Sequence, residues 1–158
     1  MKRAILVLML GAICYGGWRL WSGGDELDGG ENPALIQRYI WADKDLERTP
    51  PTDYAHLFAL PDAVDDQGRR LGGVLKASHY DMHLRVFEHR LDGNRAQLRF
   101  LQEGKKGQFR FRITRCKQGM CLEMKKSPWG GPEKYFAVGE INGGGGIEAL
   151  KMWMMARP

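Results

Sequence analysis

The sequence predicts an all-β fold, an antiparallel up-and-down barrel of about eight strands with an N-terminal transmembrane helix and a short C-terminal helix. Three observations predict it. Beyond residue 31, apolar and polar residues alternate over short runs, and turn-forming residues recur about every 8 to 12 positions. The first 21 residues are apolar behind a basic start. A run of glycines, Gly143 to Gly146, then separates the strands from a final segment with helical spacing.

Taken in order, Lys2 and Arg3 precede an apolar run from Ala4 to Tyr15, which Gly16, Gly17, Trp18, Leu20 and Trp21 extend around Arg19. The stretch is about 18 residues, close to the roughly 20 that span a hydrocarbon core. Residues 1–21 read as an uncleaved signal anchor, with Arg19 reaching the headgroups and Trp18 and Trp21 in the interfacial belt. A cleaved signal peptide is the alternative, although Gly16-Gly17-Trp18 makes a poor cleavage exit. A lipid anchor at Cys14 is a third, disfavoured by Ile13 where a small residue is wanted. A retained basic start stays in the cytoplasm, so the rest faces the periplasm of a bacterial envelope, held at the inner membrane; cleavage would make it secreted.

Residues 22–31 are rich in Gly and Asp and read as a flexible linker. Residues 32–142 carry the barrel. Its candidate strands are Leu35 to Ala42, Tyr54 to Leu60, Gly73 to Ser78, Tyr80 to Arg90, Arg95 to Gln102, Gly107 to Cys116, Cys121 to Lys126 and Lys134 to Ile141. Pro50-Pro51, Asp65 to Gly68, Asp92-Gly93, Gly104-Lys105, Gln118-Gly119 and Trp129 to Pro132 punctuate them. Residues 143–158 form a Gly-rich hinge and a short helix with Ile147, Leu150 and Met154 on one face; a last strand is the alternative.

The hairpins can be registered from their turns. A two-residue Gly104-Lys105 turn pairs Phe100 with Phe109 and Leu98 with Phe111. A three-residue loop Leu91-Asp92-Gly93 pairs Val86 with Leu98 and Leu84 with Phe100, keeping apolar residues on one face. A turn at Gln118-Gly119 sets Cys116 across from Cys121. Two cysteines flanking a tight turn in an oxidising compartment favour a disulfide, because a metal site would need a second pair of ligands.

These registers give an inner wall of Tyr80, Met82, Leu84, Val86, Leu98, Phe100, Phe109, Phe111, Ile113, Leu122 and Met124. Such a list describes a packed core or a cavity for an apolar ligand, and Met and Phe adapt to either. On the outer face the same registers set Arg85 opposite Arg99 and Arg99 opposite Arg110, with Arg112 nearby. Like charges in that arrangement need neutralising. An anionic envelope component or acidic partner would do so, and so would Glu88, Asp81, Glu103 or Glu123 pairing diagonally. His79, Asp81, His83 and His89 share a strand phase that suits a divalent ion, but with no evident fourth ligand they read as ordinary polar residues, and no metal site is expected.

The chain carries 24 basic and 19 acidic residues, and three of the basic ones lie in the anchor. The charge is uneven: Ser22 to Leu75 holds 5 basic and 11 acidic residues, Lys76 to Pro158 holds 16 and 8. Nucleic acid is not an expected partner for a domain outside the cell. No Gly-x-Ser-x-Gly elbow, His-Glu-x-x-His helix or phosphate loop is present, so neither catalysis nor a cofactor is expected.

A meander of about eight strands ending in a helical segment, with Tyr39-Ile40-Trp41 as an aromatic first strand, resembles the lipocalin-like or calycin barrels. The usual Gly-x-Trp of that group is absent. The stretch from Cys121-Leu122 through Ser127-Pro128-Trp129-Gly130-Gly131-Pro132 to Tyr135 is similar to small bacterial envelope proteins, myxobacterial ones among them. The barrel resemblance implies a non-catalytic binder of an apolar or lipid-like molecule; the second carries no activity and no site residue. The alternative expectation is an interaction module that docks its basic outer face on an anionic surface.

Overall fold

The computed structural model describes residues 29–45 and 48–141. The expected membrane anchor, most of the linker and the C-terminal helix lie outside them. The described residues contain no helix long and apolar enough to cross a membrane.

Eight strands follow a 3-10 turn at Pro33–Gln37: β1 Tyr39–Ala42, β2 Ala55–Ala59, β3 Leu71–Ala77, β4 Met82–Asp92, β5 Arg95–Phe100, β6 Lys106–Cys116, β7 Gly119–Lys125 and β8 Lys134–Glu140. Each pairs antiparallel with the next, and β8 closes on β1. Closure removes the unpaired edges that an open meander would expose. The barrel's strand count and up-and-down order are consistent with a lipocalin-like architecture.

The 3-10 turn corks one end. Asn32 accepts from the Ala34 N–H at 3.0 Å and Pro33 opens the turn. Fully buried Ile36 accepts at its carbonyl from Trp41 Nε1 at 3.0 Å. Both chain segments that leave the described barrel do so here. Glu31 N–H donates to the Ile113 carbonyl on β6, and Ile141 N–H to the Arg38 carbonyl beside β1, each at 2.8 Å. At the opposite end lie the loops that follow β1, β3, β5 and β7.

The register of β4 on β5 corrects the expected one. Asp92 pairs with Arg95, so Gly93-Asn94 is a two-residue turn with Gly93 at φ +55°, and Phe87, His89 and Leu91 face Phe100, Leu98 and Ala96. The difference from the expected pairing is odd, so every β4 side chain changes face. Leu84 and Val86 lie outside, paired with Leu75 and Gly73, while Met82 and Tyr80 are 60% and 82% exposed. The apolar alternation of β4 misleads because the strand carries apolar residues in both phases.

The other two hairpins slip by an even step and keep their faces. Leu98 pairs with Gly107 and Ala96 with Phe109, since the loop after Phe100 is longer than two residues. Cys116 pairs with Gly119, so Cys121 lies diagonal to it, opposite Thr114. The disulfide forms across that diagonal at a Cα separation of 5.9 Å.

Two apolar layers result. The interior holds Trp41, Phe58, Phe87, Phe100, Phe111, Ile113, Leu122 and Met124, all essentially inaccessible, with Leu98 and Phe109 beside them. A second layer lies outside the barrel on β1 to β3: Ile40, Ala42, Ala55, Leu57, Ala59, Leu75 and Ala77, none more than 3% exposed.

Candidate functional site

The end of the barrel opposite the 3-10 turn gathers four interior-phase polar residues. In β2, β3 and β4 the phase that buries Phe58, Val74 and Phe87 deeper in the barrel brings His56, Lys76, His83 and Arg85 to the rim. These four side chains, Val74 and Trp129 line a cavity of about 120 Å³.

Trp129 arrives on the loop between β7 and β8. Its indole lies parallel to Phe87 at 6.3 Å, tilts onto Phe58 at 5.0 Å and meets Phe109 edge-on at 5.7 Å. Such contacts suit the ring quadrupoles. Indole Nε1 donates to the Tyr135 hydroxyl at 3.1 Å. Burial pushes the Tyr135 phenol up to about 12, so it stays protonated.

The two glycines after Trp129 make this placement possible. Gly130 has φ +77°, and a Cβ on Gly131 would lie 2.7 Å from the Tyr135 hydroxyl. Gly107 gives the same loop room on β6, where a Cβ would come 2.8 Å from Pro128.

Most of the rim charges are held in place. His56 N–H donates to Asp43 at 2.6 Å, and its ring lies 3.4 Å from the same carboxylate. His83 Nε2 lies 2.7 Å from Asp81, which also accepts from the Tyr54 hydroxyl. Arg85 bonds Glu103 at 2.8 Å while its guanidinium stacks 4.1 Å over Phe100. Lys76 differs: its ammonium lies 4.5 Å over the Tyr54 ring and pairs with no carboxylate among the described residues. The mouth is therefore apolar on its Trp129 side and cationic on its Lys76 and Arg85 side. Its titratable groups are tied to carboxylates and rings.

Of the expected inner wall, Leu98, Phe100, Phe109, Phe111, Ile113 and Met124 are interior and buried, whereas Tyr80, Met82, Leu84 and Val86 are not part of it. The expected arginine ladder is also corrected. Arg85 belongs to the interior phase, Arg99 pairs with Lys106, and Arg110 pairs with Arg95 and Lys125. On the outer face Glu88 bonds Arg99 through two nitrogens at 2.7 and 3.0 Å, and Glu123 bonds Arg112 at 2.7 Å. Diagonal and direct carboxylates thus supply the neutralisation that an external anion was one way to provide. A shallow groove of about 590 Å³ crosses β4, β5 and β6 there, floored by backbone and bordered by Arg90, Arg99 and Lys106.

The histidine row does not come together as one site: His79 and Asp81 precede β4, and His83 and His89 share its interior phase but lie toward opposite ends of the barrel. His79 reaches the Thr49 carbonyl at 3.2 Å, His83 is at the mouth, and His89 is buried, 3.0 Å from the Pro61 carbonyl. Among the described residues no three His, Cys, Asp or Glu side chains cluster to hold a metal. His56 and Lys76 were missed by the sequence reading. The period-two phase of Phe58 and Val74 was the signal that places them inside.

No protein-family model, curated protein or solved structure matches this chain. The class that fold and site define is a closed eight-stranded antiparallel barrel with a filled interior and an amphipathic mouth.

Proposed function

We propose that the barrel is a non-catalytic binding protein for a small lipid-like anion. The head group would meet Lys76 and Arg85, and the apolar part would take the space that Trp129 now fills. The observation that carries this reading is the cavity with Trp129 and Val74 on one side and Lys76, Arg85, His56 and His83 on the other. Barrels of eight strands have room for packed side chains or for one small ligand. Here side chains fill the interior, so a ligand larger than the existing space of about 120 Å³ enters only as the indole leaves. Trp129 is held by one hydrogen bond and ring contacts on a two-glycine loop, an attachment that can be exchanged for a ligand's own contacts. The Lys2-Arg3 start and apolar run support a site at the outer side of an inner membrane, and the Cys116–Cys121 disulfide suits that oxidising compartment.

Calorimetric titration with decanoate and with decanol tests the reading. Decanoate should bind and decanol bind more weakly, and Lys76→Met should erase the difference. Failure of both to bind, or equal binding by the parent protein, would refute it. The basic outer groove supports the second reading, docking on an anionic surface, less well, because Arg99 and Arg112 already hold carboxylates.

A further inference from the structure

The apolar layer outside β1, β2 and β3 is not accounted for by the barrel. Ile40, Ala42, Ala55, Leu57, Ala59, Leu75 and Ala77 point away from the interior, yet none exceeds 3% exposure. Their apolar neighbours among the described residues are Leu84, Val138 and Ile141. Leu84 pairs with Leu75 in the same wall, and Ile141 follows β8 at its rim. Side chains standing next to one another on a sheet leave their tops in water unless another element lies over them. Apart from Leu84, Val138 and Ile141, no apolar side chain among the described residues packs against this wall, which leaves its cover to be found.

We propose that the cover is the end of this chain, with residues 147–157 packed as a helix across the outer faces of β1, β2 and β3. The chain passes beyond the described residues at Ile141, itself partly buried against the cluster, so it starts beside the wall it is to cover. Gly143 to Gly146 allow it to reverse direction there. Ile147, Leu150 and Met154 then recur at the spacing of one helical face. Eleven helical residues span about 16 Å, enough to cross three strands whose outer two are about 10 Å apart. Four alanines and Gly73 among the outward residues leave shallow sites between Ile40, Leu57 and Leu75, which lets a helix approach the sheet closely.

The other segment beyond the described residues fits less well. It joins the barrel at Glu31, bound to Ile113 and Arg115 of β6. In a closed barrel of eight, β6 is opposite β2. Residues 22–30, which would have to travel round the outside, are mainly Gly, Asp and Glu.

The full-length chain in detergent tests this with a photo-cross-linking benzoylphenylalanine at Met82, an exposed outer-face position paired with Ala77. An intrachain adduct mapped to residues 147–157 is expected. An adduct to residues 1–28, to detergent or to a second copy would overturn the proposal, and so would the absence of any adduct to 147–157. In a second measurement, the full chain carrying Leu150→Glu and Met154→Glu should bind a hydrophobic dye several-fold more strongly and melt several degrees lower. Unchanged dye binding and melting would overturn it independently, since neither residue belongs to the barrel.

Discussion

Acidifying the protein from neutral pH to about 4 brings the medium to the value at which burial leaves His89. Desolvation lowers this imidazole from 6.5 to about 4; the Pro61 carbonyl, which accepts from Nε2, works against that, and Arg70 adds to it. In the unfolded chain His89 takes up its proton near 6.5, while in the barrel it refuses it until about 4. Between those values the unfolded state binds more protons, so stability falls as pH falls through that window and is flat above it. At about 1.4 kcal/mol per pH unit, the window makes His89 responsible for a loss of roughly 3 kcal/mol. The assay is urea unfolding at a series of pH values across that window, on the parent protein and on His89→Gln. The glutamine keeps a donor for Pro61 and does not titrate. Its stability curve should be flatter by about that amount. Asp65, held below its ordinary 3.8 by the Arg69 backbone N–H, loses its share at still lower pH in both proteins and cancels. Identical slopes for the two proteins would refute the assignment of a buried neutral imidazole.

Other perturbations have equally definite outcomes. Trp129→Ala should cost about 2–4 kcal/mol in urea unfolding, since the indole contacts four aromatic rings, and should open space for longer alkyl chains in the decanoate titration. Replacing Cys116 and Cys121 together by serine closes no loop in the unfolded chain, and with a sequence separation of 5 the loss is about 2 kcal/mol on the chain-entropy account; thermal melting of the double variant checks it. Gly72→Ala would put a Cβ 2.5 Å from the Ala59 carbonyl oxygen and 2.6 Å from the Phe87 ring. Overpacking at that junction should cost about 1–3 kcal/mol, read from the same melting experiment, and an unchanged midpoint would show that the junction yields.

The strand order was legible because each run has its own turn residues: β5 to β8 fall within a few residues of the expected spans. The first run was not. Pro33 with Asn32 before it sets a 3-10 turn over Leu35 and Ile36, so the strand begins only at Tyr39. The disulfide was legible from the two cysteines flanking a turn and the expected oxidising compartment, even though the pair is diagonal and not directly opposed. The face assignment of β4 failed because a strand that is apolar outside near its start and apolar inside near its end shows no single phase. Half of the mouth was hidden for the same reason: β2 and β3 are apolar in both phases, which leaves the face of His56 and Lys76 undecided in the sequence.

The polarity of the barrel's two ends bears on how the protein would meet its ligand. Glu31 joins the wall near the end corked by the 3-10 turn, and the Trp129 mouth opens at the other end. If residues 1–21 hold the chain to a membrane, the tether pulls on the closed base, leaving the aperture directed outward and the ligand arriving from the aqueous side. Extraction directly from the bilayer would then require the domain to invert on its linker, so the reach of residues 22–30 would set which source the mouth can sample.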